Sequence, residues 1–162
     1  MRDLTERDDL TGLASRRFIL NELESRIKRG AVGLLLVDVD NFKSLNDQFG
    51  HLVGDAVLQS VSRTLLEAFG SWRHVGRIGG DEFLVWLEEK TESGLLKRID
   101  AINEGLRHIA VSDLEDSPKV TVSIGAILIG RHENMKTAIE HADRALYEAK
   151  FLGRDTHVMA RI

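Results

Sequence analysis

Apolar residues recur along this chain at two spacings, one typical of helices and one typical of strands. Between residues 55 and 68, apolar side chains lie three and four positions apart, which predicts an amphipathic helix. Four more helices are predicted at residues 16–29, 41–48, 92–106 and 135–152, and Ser15 can cap the first. Runs rich in β-branched and aromatic residues predict strands at residues 32–37, 73–78, 83–87, 119–129 and 157–160.

The order of these elements predicts an α+β domain built around an antiparallel hairpin. The last long helix carries a stripe of small residues, Ala138, Ala142, Ala145 and Ala149, which predicts close packing on a sheet. With 162 residues, the chain suits one domain. A domain of that size buries about 70% of the surface of its unfolded chain, so it can fold around its own core.

Charge and composition narrow the possible partners. The chain has 22 basic and 26 acidic residues and a net charge of −4, which disfavours binding to duplex nucleic acid or to a membrane surface. Basic residues gathered locally can still bind a small anion. The absence of cysteine excludes disulfide and thiolate chemistry. No apolar run approaches the ~20 residues of a membrane span, and the polar start is unlike a secretory signal, so we expect a cytoplasmic domain.

The densest group of unusual residues is Gly79-Gly80-Asp81-Glu82, which separates two predicted strands. This position predicts a hairpin tip. Glycine takes positive φ at little steric cost, and without a Cβ it allows the backbone to approach a ligand closely. A solvated turn explains the same residues equally well when they are considered alone.

A second acidic group follows the nearly apolar run at residues 32–37. Asp38 and Asp40 lie one residue apart, and strand alternation places both side chains on one side of the chain. Carboxylates at the end of a buried strand repel one another unless a cation compensates them, and Mg²⁺ prefers such oxygen ligands. The pair therefore indicates a metal site, although acids solvated in a loop are also consistent with it.

Six sequence blocks, in this order, resemble the GGDEF family of diguanylate cyclases over roughly the whole chain from Asp9. The blocks are Asp9-Leu10-Thr11-Gly12-Leu13, Asp38-x-Asp40-x-Phe42-Lys43-x-x-Asn46-Asp47, Gly50-His51-x-x-Gly54-Asp55, Arg77-x-Gly79-Gly80-Asp81-Glu82-Phe83, Thr121-Val122-Ser123-Ile124-Gly125 and Ala142-Asp143-x-Ala145-Leu146-Tyr147-x-Ala149-Lys150-x-x-Gly153-Arg154. The resemblance implies a single palm-like domain at residues 9–162, with a mostly antiparallel sheet flanked by helices. Residues 1–8 would be the remnant of a linker or N-terminal extension.

The resemblance also implies an activity, the condensation of two GTP into cyclic di-GMP with release of two pyrophosphates. The implied cofactors are two Mg²⁺ or Mn²⁺ ions per active site, bound by Asp38, the backbone carbonyl of Val39, and Asp81. Asp81, Glu82 and Lys43 are the implied catalytic residues. The role of Glu82, as metal ligand or as base, stays open.

The substrate residues follow partly from chemistry and partly from the resemblance. The family pattern assigns Lys43, Lys150 and Arg154 to the phosphates and Gly79 and Gly80 to the substrate loop; Lys150 and Arg154 also suit the C-terminal end of a helix that stops at Gly153.

The choice of base can be argued from Asp55. Guanine presents adjacent N1–H and N2–H₂ donors that one carboxylate can accept, whereas adenine presents a lone pair, so Asp55 is predicted to select guanine. Asn46 would make a further polar contact with the base, as the resemblance implies. A stabilising acid in the first turn of a helix is the plain alternative for Asp55.

Because one site holds one GTP, turnover requires two domains that face each other. Nothing in residues 1–7 is expected to hold a dimer, so we predict weak activity for the chain alone, and a sensor domain upstream in the full protein. Gly70-Ser71-Trp72-Arg73 lacks the arginine and aspartate of the family's product-inhibition site, so no feedback inhibition is expected there. A catalytically silent module that binds GTP or cyclic di-GMP is the main alternative. Another palm-type cyclase or polymerase is disfavoured by Asp55 and by the absence of a basic nucleic-acid track.

Overall fold

The computed structural model describes residues 6–109, 119–131 and 133–161, which form an α+β domain around one five-stranded sheet. The strands are β1 (Val32–Val39), β2 (Val75–Arg77), β3 (Glu82–Leu87), β4 (Val122–Ile129) and β5 (His157–Ala160). Their order is β2-β3-β1-β4-β5, and every neighbouring pair is antiparallel except β4 and β5. The predicted α+β class, with its mostly antiparallel sheet, is confirmed.

Helices cover both faces of this sheet. They are α1 (Arg16–Ile27), α2 (Phe42–Phe49), α3 (His51–Phe69), α4 (Glu92–Leu106) and α5 (Met135–Phe151). Alternation along β1 separates two cores, because Leu35 and Val37 pack with residues of α3 and α4, while Leu34 and Leu36 pack with residues of α1 and α5. No helix in the described ranges is long and apolar enough to cross a membrane.

The close packing predicted for the alanine stripe of α5 is confirmed at Gly125 on β4. A Cβ at Gly125 would overlap the backbone carbonyl of Ala142 and the backbone nitrogen of Leu146. Only glycine therefore allows the backbone of α5 to come this close to the sheet. This contact fixes the position of α5, whose C-terminal end carries Lys150.

The helix predicted at residues 55–68 begins earlier, at His51, and the expected glycine-rich loop is reduced to Gly50, which has a φ of 90°. Gly54 lies inside this helix, α3, where glycine is normally unfavourable. A Cβ at Gly54 would overlap the amide oxygen of Asn46, so α2 and α3 can pack together only without it. Asp55 therefore lies in the second turn of α3, and its interpretation as a first-turn acid is wrong.

The remaining boundaries differ little from the predictions. Ser15 caps α1 by accepting a hydrogen bond from the Phe18 amide at 3.2 Å, and α1 ends at Ile27 instead of residue 29. The strand predicted at residues 73–78 is shorter, because a 3₁₀ turn occupies Trp72–His74. β4 likewise begins at Val122, three residues later than predicted. The predicted ends of α4 and β5 are confirmed.

Candidate active site

The two acidic groups meet at one end of the sheet. β1 and β3 are antiparallel neighbours, and their register places Asp38, near the end of β1, opposite Glu82, at the start of β3. The Val39 amide donates a hydrogen bond to the backbone carbonyl of Asp81 at 3.1 Å. Strand pairing therefore brings together residues that lie more than forty positions apart in the sequence.

The predicted hairpin tip is present and held by Arg77. The Nε and Nη2 atoms of Arg77 donate to the carbonyl of Gly80 at 3.1 and 2.8 Å. The Nη1 atom of the same guanidinium lies 3.3 Å from Oδ1 of Asp8. Asp8 also accepts hydrogen bonds from the amide and hydroxyl of Thr11, at 2.9 and 2.7 Å. One arginine thus connects the N-terminal turn to the hairpin tip.

Sequence reasoning missed Asp8, since the motif was read from its neighbour, Asp9, which is exposed. Burial acts to raise the pKa of Asp8, but the hydrogen bonds from Thr11 and the charge of Arg77 outweigh it and lower that pKa. The Asp-x-x-Thr spacing, which is typical of a side-chain-capped turn, is the sequence signal that points to Asp8.

Gly79 and Gly80 are not required by backbone strain. Neither residue has a positive φ, so freedom to adopt positive φ does not explain glycine at this tip. A Cβ at Gly80 would meet no atom within 4 Å, and one at Gly79 would make only ordinary contacts with Glu82. The space beside this loop is therefore open, which suits the close approach of a ligand.

Asp38 is a buried carboxylate with incomplete compensation. It is 6% exposed, and its Oδ2 contacts the ammonium of Lys150. Its Oδ1 is buried without a hydrogen-bond partner among the described residues. Burial, assisted by the neighbouring Asp81, raises the pKa of Asp38 to about 7 despite the opposing effect of Lys150. The site thus carries more negative charge than the protein neutralises.

Glu82 shares this environment. Burial raises the pKa of Glu82, and the charges of Asp143 and Asp81 act in the same direction, while Lys150 and Arg16 oppose them. Arg16 also donates to the carbonyl of Ile78 at 3.0 Å. The roles of Arg16 and Asp143 were missed, because nothing in the spacing of the sequence places α1 and α5 beside the hairpin.

Asp40, which lies just beyond the end of β1, has a different environment from Asp38. It accepts hydrogen bonds from the hydroxyls of Thr121 and Ser123 at 2.7 and 2.6 Å, and from the backbone amide of Asp155 at 2.9 Å. The last bond fixes the turn that follows α5, where Arg154 and Asp155 have φ values of 64° and 48°. Asp40 is therefore an anchor for that turn.

The residues predicted to bind the nucleotide lie on α2 (Lys43 and Asn46), on α3 (Asp55) and in the turn after α5 (Arg154). Asn46 packs over Gly54, and its Oδ1 is buried without a hydrogen-bond partner among the described residues. Lys43, Asp55 and Arg154 are exposed, and their side chains form no hydrogen bond or ion pair within the described ranges. The structure joins Lys150 directly to Asp38 and leaves these three side chains available to a ligand.

Asp38, Asp81 and Glu82 form an acidic edge at one end of the sheet. Their side chains can supply only some of the ligands that a divalent cation needs. Among the residues that the structure describes, no three histidine, aspartate or glutamate side chains form a group that could hold a metal ion. The unpartnered oxygen of Asp38 and the repulsion from Asp81 fit an ion bound by two carboxylates, with other oxygens completing its coordination. A backbone carbonyl and a ligand phosphate supply oxygens of this kind.

The fold and the edge together define a class of α+β domain with acids at the end of a central strand and at the adjacent hairpin. A family model described as "Diguanylate cyclase, GGDEF domain" matches residues 5–156. The chain therefore belongs to the GGDEF family of diguanylate cyclases, and the resemblance drawn from its sequence is confirmed.

Similar proteins include both cyclases and a hydrolase. The chain is 34% identical over 155 residues to diguanylate cyclase DosC of Escherichia coli strain K12, covering 91% of this chain and 34% of DosC. It is 35% identical over 161 residues to the cyclic di-GMP phosphodiesterase PdeR of the same strain, covering 95% of this chain and 24% of PdeR. The chain thus spans about a third or less of these relatives.

Among solved structures, diguanylate cyclase SiaD of Pseudomonas aeruginosa, in complex with its activator SiaC, is similar with a TM-score of 0.90 and 32% identity. The match covers 98% of this chain and 63% of that one.

Proposed function

We propose that this domain is an active diguanylate cyclase, which condenses two GTP into cyclic di-GMP and releases two pyrophosphates. The observation that carries the proposal is the meeting of Asp38, Asp81 and Glu82 at one edge, where the pKa values of Asp38 and Glu82 are both raised. The similarity to DosC and SiaD supports it.

Asp38, Asp81 and the carbonyl of Val39 would hold Mg²⁺ or Mn²⁺, two ions per active site. Such ions, when bound, lower the pKa of an attacking hydroxyl and neutralise charge on the triphosphate. Glu82, which lies opposite Asp38 in the strand register, would act either as a further metal ligand or as the base that accepts the proton of the attacking hydroxyl.

The chain supplies its own cations for the triphosphate. Lys43 and Arg154 are exposed and without ion pairs among the described residues, and Lys150 already lies in the site. The open space beside Gly79 and Gly80 leaves room for phosphate against the backbone. We propose that these five residues bind the triphosphate together.

Asp55 and Asn46 would select guanine. The Asp55 carboxylate is exposed one residue after Gly54, the residue over which Asn46 packs. Its two oxygens can accept the N1–H and N2–H₂ donors of guanine, and Asn46 would make a further polar contact with the same base.

Turnover would need a homodimer, weak in this chain alone, because each domain presents one GTP and the two 3′-hydroxyls must reach opposite α-phosphates. An upstream sensor domain in the full protein and a cytoplasmic location stay predictions of the sequence, as does the absence of nucleic-acid and membrane contacts by this domain.

Incubation with GTP and Mg²⁺, followed by chromatography of the products, tests the proposal. We expect cyclic di-GMP and pyrophosphate, with a specific activity that rises with protein concentration. Asp81→Asn should abolish product, whereas Asp100→Asn, an exposed acid on α4, should not. GTP binding without product at any protein concentration would instead indicate a silent regulatory module, the alternative that the similarity to PdeR keeps relevant.

A further inference from the structure

Three segments that are far apart in the sequence meet at the carboxylate of Asp40. They are the end of β1, the start of β4 and the turn that follows α5. Asp40 is 8% exposed, and its Oδ2 accepts hydrogen bonds from the Thr121 hydroxyl at 2.7 Å and from the Asp155 amide at 2.9 Å. Its Oδ1 accepts a hydrogen bond from the Ser123 hydroxyl at 2.6 Å. The charge of this buried carboxylate is therefore compensated by donors from the protein itself.

Strand pairing explains two of these donors. β1 and β4 are antiparallel, and their register places Val39 opposite Val122, so Asp40 comes opposite Thr121. The Asp40 amide also donates a hydrogen bond to the Thr121 carbonyl at 2.9 Å. Strand alternation puts the side chains of Thr121 and Ser123 on the same side of the chain, where both hydroxyls reach one carboxylate. The Thr-x-Ser spacing thus holds the Asp40 side chain in place.

The third donor belongs to a turn with an uncommon backbone conformation. Gly153, Arg154 and Asp155 have φ values of 118°, 64° and 48°, so three consecutive residues have a positive φ. Arg154 and Asp155 are not glycine, and such residues keep a left-handed conformation only where the surrounding structure holds them there. The hydrogen bond from the Asp155 amide to Asp40 is a contact of this kind.

Backbone hydrogen bonds fix the two ends of this turn. At its start, the Arg154 amide donates to the Ala149 carbonyl of α5 at 3.2 Å. At its end, the Ile124 amide of β4 donates to the Thr156 carbonyl at 3.0 Å. Between these two bonds, Asp40 attaches the turn to the end of β1. Loss of the Asp40 carboxylate would therefore leave the left-handed residues free to relax.

We propose that Asp40 is a positioning residue, which sets this turn so that the guanidinium of Arg154 reaches the triphosphate. This role rests on the proposed function, in which Arg154 binds phosphate. The Arg154 side chain is exposed and forms no hydrogen bond or ion pair with a described residue, so its backbone decides where it can reach. Asp40 follows Asp38 by two residues, so one strand end would hold both the metal ligand and the turn that carries Arg154. A turn that is ordered before the substrate arrives lowers the entropic cost of binding.

Calorimetric titration with Mg²⁺ and the α,β-methylene analogue of GTP, which cannot release pyrophosphate, tests this role. We expect Asp40→Ala to raise the Kd at least about tenfold, up to the effect of Arg154→Ala, as for the loss of a charge-assisted contact. Asp40→Asn should stay within about threefold of wild type, because its amide oxygen can accept the Asp155 N–H while its NH₂ donates to the Ser123 hydroxyl. In the Arg154→Ala background, Asp40→Ala should change the Kd by less than about twofold, since its effect passes through Arg154.

Ser123→Ala and Ser62→Ala form a matched pair that separates positioning from stability. Both serines are buried hydroxyl donors, 0% and 2% exposed, but Ser62 donates to the Leu58 carbonyl within α3. We expect Ser123→Ala to weaken binding of the analogue about three- to tenfold and Ser62→Ala to leave it unchanged, with both variants folded in thermal melting. Hydrogen exchange of the Asp155 amide should be faster in Asp40→Ala than in wild type. Ser123→Ala takes the place of Asp40→Ala in the cycle with Arg154→Ala should the latter variant not fold.

The outcomes separate this role from the proposed function. Wild type that does not bind the analogue would refute the proposed function, and the positioning role with it. Binding by wild type, combined with equal weakening in the two serine variants or with additive effects of Asp40→Ala and Arg154→Ala, would overturn the positioning role alone. Unchanged exchange of the Asp155 amide in Asp40→Ala would also overturn it.

Discussion

Lys150 and Asp38, 112 positions apart, form an ion pair that joins the C-terminal end of α5 to the end of β1. Asp38 is buried, whereas the Lys150 side chain is 36% exposed. The ammonium thus reaches from the surface to the acidic edge and partly compensates Asp38, which also faces Asp81. In the proposed reaction, the same ammonium would lie beside both the metal ligand and the triphosphate.

Replacing this lysine should weaken substrate binding. Lys150→Met removes a charge that we assign to the triphosphate and leaves Asp38 without its ion-pair partner. We expect the Kd for GTP to rise about ten- to a hundredfold, as for the loss of a charge-assisted contact worth roughly 1.5 to 3 kcal/mol. Isothermal titration calorimetry in Mg²⁺ measures this change. Lys136→Met, near the start of the same helix, is the matched control, and an equal effect there would refute the assignment.

The stability of the metal-free domain should depend on pH through Asp38. An unfolded aspartate releases its proton near pH 4, whereas the folded domain retains it up to about pH 7, since burial and Asp81 outweigh Lys150. The folded state therefore binds more protons between these values, and the free energy of unfolding decreases as the pH rises through them.

Asn cannot titrate, so Asp38→Asn should melt at a higher temperature than wild type above pH 7 in a chelator, and this difference should shrink towards pH 4. Mg²⁺ should stabilise wild type more than the variant. Calorimetric melting across this pH range checks both expectations. A variant that is less stable than wild type at every pH would show that Asp38 has mainly a structural role.

Gly80→Ala should separate folding from function. The added Cβ meets no protein atom within 4 Å, and the φ of Gly80 is not positive, so the free energy of unfolding should change by less than about 0.5 kcal/mol. The methyl group would intrude on the ligand, and kcat/KM for GTP should fall at least about tenfold, as for a loss of more than about 1.4 kcal/mol. Gly30→Ala, also with open space around its Cβ, should retain activity. Wild-type kinetics for Gly80→Ala would argue against substrate at this loop.

Asp55→Ala should relax the choice of base. Removing the carboxylate abolishes two hydrogen bonds to guanine and the repulsion of adenine, so the preference for GTP over ATP in binding should fall about ten- to a hundredfold. Glu67→Ala, an exposed acid on the same helix, should leave the preference intact. Competition binding with the two nucleotides measures the ratio, and an unchanged ratio would assign guanine recognition elsewhere.

Local sequence patterns predicted both acidic groups. The apolar run before Asp38 predicted the end of a strand, and the glycine pair before Asp81 predicted a hairpin tip. The two groups meet if the two strands are antiparallel neighbours. The predicted start of α3 was wrong because glycine has a low intrinsic propensity for helix interiors, which favoured a start after Gly54. Asn46 of α2 packs against Gly54 and compensates this low propensity, and no local sequence pattern contains that contact.

Sequence patterns also could not predict the contacts between the sheet and helices that are distant in sequence. The pairing of Lys150 with Asp38 and the charges of Arg16 and Asp143 near Glu82 depend on the order of strands in the sheet. The spacing of Asp8 from Thr11 could have predicted the hydrogen bond between them. No sequence pattern could have predicted the ion pair between Asp8 and Arg77.

In the proposed function, Asp38 and Asp81 hold divalent metal beside a guanine nucleotide. A crystal structure of the domain with Mg²⁺ and a non-hydrolysable GTP analogue would show this arrangement. We expect metal coordinated by both carboxylates, phosphates against Gly79 and Gly80, and guanine at Asp55. A nucleotide bound elsewhere, or one bound here with metal that neither carboxylate touches, would contradict the account.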